Sequence, residues 1–319
     1  MILIRGDNGA MIHLLLAAVT AAAQLATPAQ LAPGQTCAFV TQAHADASAG
    51  TPNVNHDGSA LPGVPAPDIS RSFQGIPRSA QPRLTASQQR ILECTYRLAE
   101  ADADMPYTLF IPSTYTPGKP VPLIVDLHGL NITPLQQMLF DGTTDLAERH
   151  GFIVVAPMGY SLSGWWGART GRPSELSELD AMTLLKSIRQ QYAIDSDRIY
   201  LMGHSMGGAG TYHLGAKYSD IWAGIAPISA AGGIADAATA ERYRSFVTLL
   251  LHGEKDSIVS ANGSRRAAAL LQGAGAQHIY LEFPDKDHEF WIRRGAENME
   301  KVFLFFSTVS KRTNKGFLK

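Results

Sequence analysis

From residue 91 onward, short apolar runs alternate with stretches of helical spacing. Val121-Pro-Leu-Ile-Val-Asp-Leu127, Phe152-Ile-Val-Val-Ala156, Ala223-Gly-Ile-Ala-Pro-Ile228 and Phe246-Val-Thr-Leu-Leu-Leu-His252 are almost continuously hydrophobic. Runs of that kind suit strands covered on both faces, as in a parallel sheet. Cys94-Thr-Tyr-Arg-Leu-Ala-Glu100 and Pro106-Tyr-Thr-Leu-Phe-Ile-Pro112 alternate instead, and the short acidic turn between them predicts an antiparallel hairpin. Apolar spacing predicts helices over 143–150, 178–192 and 264–273, a helix after Met202 reaching about Tyr218, and one closing helix over 289–310. Two further strands are expected, one ending at Met202 and one at His278-Ile-Tyr-Leu-Glu-Phe283. Repeated strand–helix units imply an α/β fold. Its sheet is mostly parallel with antiparallel first strands, its crossovers are right-handed, and helices cover both faces.

The first 90 residues read differently. Arg5, an apolar run from Met11 to Ala23 and small residues up to Ala26 have the layout of a secretory signal over residues 1–26. The run is too short to span a bilayer, and a buried N-terminal helix is the other reading. Residues 27–90 are rich in Pro, Ala, Ser, Gly and Asn without apolar periodicity, which predicts a linker or pro-segment, with order beginning near Ile91. The catalytic domain is then expected over 91–310, with 311–319 a frayed tail. A cleaved signal implies a secreted or periplasmic protein. In that setting the two cysteines, Cys37 and Cys94, are too few for a framework or a zinc cluster. They form either one disulfide or two separately buried thiols.

Composition narrows the chemistry. The chain has 319 residues, 45% hydrophobic and 17% charged, with a formal net charge of −1. That suffices for one large α/β domain plus an extension and leaves no electrostatic footprint for nucleic acid or an acidic membrane surface. A neutral or modestly polar ligand is expected. No dinucleotide fingerprint, phosphate loop or metal-ligand spacing occurs, so neither cofactor nor metal is implied.

Gly203-His204-Ser205-Met206-Gly207 follows an apolar strand and opens a helix rich in small residues. A G-x-S-x-G pentapeptide in that context predicts a nucleophile elbow, a turn too tight for side chains at its glycines, with the serine hydroxyl raised above the sheet edge. A serine needs a base to take its proton, and the base needs an acceptor to fix its tautomer. In a parallel sheet the partners belong just beyond the carboxyl ends of later strands. Asp256 stands after the strand ending at His252-Gly253, with Glu254 as the second candidate acid, and His288 stands after the strand ending at Phe283. His278 opens its strand and so belongs to the opposite edge, while His204, His213 and His252 are read as neighbouring or structural. An oxyanion needs backbone N–H donors. Met206 at the helix start and Leu130 in the turn after Leu127-His-Gly129 are the candidates, Gly129 being second to Leu130.

These motifs together resemble the α/β-hydrolase superfamily of serine hydrolases. Tyr107-Thr-Leu-Phe-Ile-Pro112, Val154-Val-Ala-Pro157 and Asp197-Arg-Ile-Tyr-Leu-Met-Gly-His-Ser-Met-Gly-Gly208 are similar to polyhydroxybutyrate-depolymerase-like and feruloyl-esterase-like carboxylesterases, and also to secreted peptidases related to prolyl oligopeptidase. The resemblance covers about Cys94 to Ser310 and implies hydrolysis of a small or polymeric ester through an acyl-enzyme. A peptidase using the same residues and a non-catalytic glycan-binding protein of this fold are the alternatives. Only about fifty residues separate Ser205 from Asp256, which leaves no room for a large helical lid. Tyr160, Trp165 and Trp166, in a glycine-rich loop at the same edge, are candidate substrate contacts, with tryptophans anchoring the loop to the core as the competing reading. Arg169 and Arg172 are read as solvated loop charge, with contact to a carboxylate as the alternative, and Glu175, Glu178 and Asp180 as carboxylates complementing a helix dipole.

Overall fold

The computed structural model describes residues 35–48, 83–288 and 290–317; the expected signal segment and all of 49–82 lie outside them. Nine strands form a single sheet. They are β1 (Thr36–Phe39), β2 (Leu92–Leu98), β3 (Ala103–Phe110), β4 (Val121–Leu127), β5 (Ile153–Pro157), β6 (Ile194–His204), β7 (Gly224–Ile228), β8 (Val247–Gly253) and β9 (His278–Phe283). Their order is β1-β2-β3-β5-β4-β6-β7-β8-β9. The pairs β1–β2, β2–β3 and β3–β5 are antiparallel, and every pair from β5–β4 to β8–β9 is parallel. The carboxyl ends of the parallel strands therefore share one edge.

Alternation along the apolar strands divides the core in two. Leu123, Val125 and Leu127 of β4 join a cluster with Leu184, Leu185, Tyr212 and Leu271. Ile124, one residue out of phase, joins the opposite cluster with Leu146, Met299, Val302 and Phe303. Five helices of eight residues or more among the described residues supply these layers: α1 (Thr143–His150), α2 (Arg172–Gln191), α3 (Met206–Lys217), α4 (Asn262–Gly273) and α5 (Ala296–Thr308). The first cluster lies under α2, α3 and α4, and the second under α1 and α5. The unbroken hydrophobicity of β4 and β5 is the consequence of having helices on both sides. No helix among the described residues is long and apolar enough to cross a membrane.

Three elements depart from the sequence expectations. The sheet starts well before Ile91. Residues 36–39 pair with β2 in the register Cys37↔Cys94, and a helix follows at Gln42–Ser48. A four-residue edge strand carries too few side chains to show a period. The closing helix divides into Phe290–Arg293 and α5, with Gly295 as the residue before α5 begins. Residues 311–317 form a further helix, where Asn314 Nδ2 donates to Ala223 O at 2.8 Å from a buried position.

Cys37 and Cys94 are joined in a disulfide across the β1–β2 pair, closing a sequence separation of 57. The bond ties the extension to the sheet, and a loop of that length restricts the unfolded chain by about 4 kcal/mol in the chain-entropy account. Replacing both cysteines with serine is expected to lower the unfolding free energy by about that amount in denaturant titration. An unchanged midpoint and slope would mean that the crosslink adds nothing.

Candidate active site

Ser205 sits immediately after β6 and before α3 with φ 60° and ψ −114°. Positive φ is costly for a residue with a Cβ, and three main-chain bonds hold it there. Ser205 N–H donates to Ile228 O at 2.9 Å, and its own carbonyl accepts from Ala209 N–H at 3.1 Å and Ala231 N–H at 2.9 Å. The glycines serve the purpose expected of them, sparing a collision, although neither has a left-handed backbone. A Cβ on Gly203 would lie 2.5 Å from Gly207 O, and one on Gly207 would lie 1.9 Å from Leu127 O. They let β4, β6 and α3 approach, while the strain is carried by the serine itself.

The chosen partners converge on that hydroxyl. His288 Nε2 lies 2.9 Å from Ser205 Oγ, and His288 Nδ1 lies 2.7 Å from Asp256 Oδ2. A carboxylate only accepts, so Nδ1 carries the proton and Nε2 is left to accept from the serine. Asp256 Oδ1 accepts from Val259 N–H at 2.7 Å and Ile258 N–H at 3.0 Å. Burial pushes this carboxyl up, but the hydrogen bonds from His288 and the two amides outweigh it and hold it below the ordinary aspartate value. Asp256 is thus an anion aimed at the imidazole.

Two histidines read as bystanders complete the arrangement. His204 is fully buried and donates from Nε2 to the His288 carbonyl at 2.7 Å. Burial, then the neighbouring His288 and Arg293, keeps it well below the usual imidazole range and therefore neutral. His252 Nε2 lies 2.9 Å from Val259 O and 3.2 Å from Asp256 Oδ2, while its Nδ1 meets Ser264 Oγ at 2.8 Å. Val259 O is an acceptor, so His252 donates there, and its ring nitrogen lies beside the Asp256 oxygen that faces His288. The sequence signal for these roles was weak. Both residues end strands at the site edge, but so do residues with no such task.

Met206 is the first residue of α3, where helical N–H groups have no partner within the helix. In the turn after β4, Asn131 N–H donates to Leu162 O at 2.9 Å and Ile132 N–H to Gly129 O at 3.3 Å. No backbone partner among the described residues takes the Leu130 N–H, and the Leu130 side chain is exposed.

The aromatic loop after β5 divides its roles. Trp166 is completely buried, donates from Nε1 to His128 O at 3.2 Å, and packs edge-on against the His128 ring. A Cβ on Gly210 of α3 would lie 2.4 Å from Trp166, so this ring is wedged against the elbow helix and is not a substrate wall. Trp165 remains partly exposed with the Arg169 guanidinium 3.2 Å above its ring. Tyr160 is half-buried, and its N–H donates to Asp180 Oδ2 at 3.1 Å. Asp180 also accepts from Gly159 N–H at 2.6 Å and from Tyr96 OH, so it clamps the base of the loop. The dipole reading of Glu178 and Asp180 therefore fails. The helix begins at Arg172, six residues before the expected start, which leaves only Glu175 in its first turn.

The described residues 99–291 match a protein-family model described as "Putative esterase". The chain belongs to this esterase family. It is 28% identical over 152 residues to the bifunctional acetylxylan esterase/xylanase XynS20E of Neocallimastix patriciarum, which covers 48% of this chain and 21% of that one. Feruloyl esterase B of Piromyces equi is 28% identical over 54% of this chain and 33% of its own length. Poly(3-hydroxyalkanoate) depolymerase C of Paucimonas lemoignei is 30% identical over 35% of this chain and 28% of its own. The esterase chain thus spans about a third or less of these three relatives. Among solved structures, a thermostable esterase superposes with a TM-score of 0.59 at 26% identity, covering 69% of this chain and 63% of that one. The ferulic acid esterase AmCE1/Fae1A of Anaeromyces mucronatus superposes with a TM-score of 0.53 at 20% identity, over 67% of this chain and 88% of its own. The architecture is the α/β-hydrolase fold, an open mixed sheet with antiparallel first strands.

The depressed Asp256 carboxyl gives the protein a signature in acid. It holds its proton less tightly folded than unfolded. Its stabilising contribution is therefore complete above the unfolded value of about 3.9 and is lost as pH falls through the lower folded value. Asp256→Asn is expected to flatten this part of the acid-unfolding curve in pH-dependent denaturant melts. An acid limb identical to that of the parent would contradict the assignment.

Proposed function

We propose that the chain is an exported serine carboxylesterase acting through Ser205, His288 and Asp256. The observation that carries this reading is the hydrogen-bonded series Ser205 Oγ, His288, Asp256 at the carboxyl edge of the sheet. As Ser205 Oγ attacks an ester carbonyl, His288 Nε2 takes the hydroxyl proton, and Asp256 stabilises the imidazolium that forms. The oxyanion is received by Met206 N–H, at the positive end of α3, and by Leu130 N–H. When the tetrahedral species collapses, His288 returns the proton to the departing alcohol, leaving an acyl group on Ser205. Water then repeats the sequence with His288 as its base.

Family membership and the names of the relatives support an ester as the scissile bond. Acetylxylan, feruloyl and poly(3-hydroxyalkanoate) esters are the classes those names carry. Between β7 and β8 the chain has only residues 229–246, folded as a four-residue helix and a 3-10 turn. A site with so little above it suits the ends of polymers and bulky aryl esters. Export is supported by the Cys37–Cys94 disulfide, because such bonds persist in oxidising compartments.

Ser205→Ala is expected to lower turnover of a short aryl ester by on the order of 10⁵-fold or more while leaving the melting temperature near that of the parent. Asp256→Asn should cost on the order of 10⁴-fold in kcat through a mis-set imidazole tautomer. Steady-state kinetics on a matched ester and anilide decides between ester and amide specificity. Faster cleavage of the anilide would replace the esterase reading with a peptidase one, and undiminished turnover by Ser205→Ala would remove both.

A further inference from the structure

A cavity of about 530 Å³ opens alongside α3 and is bounded by the Trp165–Arg169 loop, the Ala209-to-Lys217 side of the helix and the segment after β7. Ala209 and Ala231 are among its lining residues. Ala209 is one turn along from Ser205, a rise of about 6 Å, and Ala231 N–H is bonded to the Ser205 carbonyl. The cavity thus begins beside the nucleophile.

Its charged lining has one sign. Arg169, His213, Lys217 and Arg242 line it, with no carboxylate among the described lining residues. The nearby carboxylates are committed elsewhere. Glu178 lies behind the wall and receives His213 Nε2 at 2.7 Å, Lys217 Nζ at 2.6 Å and Tyr218 OH at 2.6 Å. Burial raises its carboxyl, but these three donors outweigh that and bring it down to about 2, so it is a spent anion. Glu241 is paired with Arg244 at 3.1 Å, leaving its neighbour Arg242 without a carboxylate among the described residues. Arg169 has no carboxylate partner among them either. Its guanidinium lies over the Trp165 ring at 3.2 Å from the centroid and so covers that ring face.

A formal net charge of −1 makes this local excess of cations a property of the cavity and not of the surface at large. Two guanidiniums without carboxylate partners, lining one cavity, suit a carboxylate, which accepts two parallel N–H bonds. We infer that the cavity beside Ser205 selects esters bearing a carboxylate, held by Arg169 and Arg242 while the ester carbonyl lies at Ser205. This rests on the esterase reading above and replaces the expectation of a neutral substrate drawn from overall charge.

Two pairs of esters test it, one with the carboxylate on the acyl half and one with it on the alcohol half. They are 4-nitrophenyl hydrogen adipate against 4-nitrophenyl hexanoate, and 4-(carboxymethyl)phenyl butanoate against 4-methylphenyl butanoate. In at least one pair the acid is expected to show a KM about tenfold lower at low ionic strength, approaching its partner in 0.5 M salt because these cations are exposed. The double variant Arg169→Gln, Arg242→Gln should bring the KM ratio of that pair close to one. Arg244→Gln, off the cavity, should leave the ratio where it was. Equal KM values within both pairs, or a preference that survives the double variant, would overturn the inference. The salt titration on the unaltered protein stands should the double variant fold poorly. Turnover of the neutral esters reports separately on the esterase reading, so its failure is distinguishable from loss of the carboxylate preference.

Discussion

The backbone of Ser205 is the constraint on which the remaining structure depends. A side chain-bearing residue at φ 60° and ψ −114° is unfavourable on its own. It persists because Ile228, Ala209 and Ala231 bond its amide and carbonyl, and because Gly203 and Gly207 allow β4, β6 and α3 to meet without a Cβ between them. Each of these contacts depends on a different part of the sheet. Ile228 ends β7, Leu127 ends β4, and Trp166 from the loop after β5 presses against α3 at Gly210. The core therefore does more than stabilise the fold. It aims one hydroxyl at a point that His288 can reach.

The same economy governs His288, the proposed base. His288 lies in the turn after β9, where few neighbours would fix it, yet both ring nitrogens and its carbonyl are engaged. Asp256 defines which nitrogen carries the proton, His252 bonds Val259 O beside it, and neutral His204 pins the main chain. Removing water from His204 and Asp256 is costly in itself. The geometry that results spares reorganisation when charge develops on the imidazole.

Much of this was legible in the chain. The apolar runs of β4, β5, β7 and β8 announced strands covered on both faces, and the rule that ligands gather at strand carboxyl ends selected Asp256 and His288 from many acids and histidines. Other features were hidden for physical reasons. β1 is too short for a period, and its place follows from pairing with β2 across the disulfide, a contact 57 residues away in sequence. Trp165 and Trp166 are adjacent and chemically identical, yet left-handed backbone at both turns one inward and leaves the other at the cavity. The start of α2 was misjudged because Arg172-Pro-Ser lacks apolar spacing, and with it went the roles of Glu178 and Asp180. Local pattern reports which way a strand or helix faces. It does not report which distant group a buried carboxylate will meet.

The central claim is that Ser205 carries the acyl group between two chemical steps. Acid quenching during turnover of a slowly deacylating aryl ester, followed by mass spectrometry of the intact chain and its peptides, addresses this directly. The account predicts one acyl mass increment per chain, located on the peptide containing Ser205 and formed in step with a burst of released phenol. Turnover with no covalent adduct, or an adduct on any other residue, would contradict it.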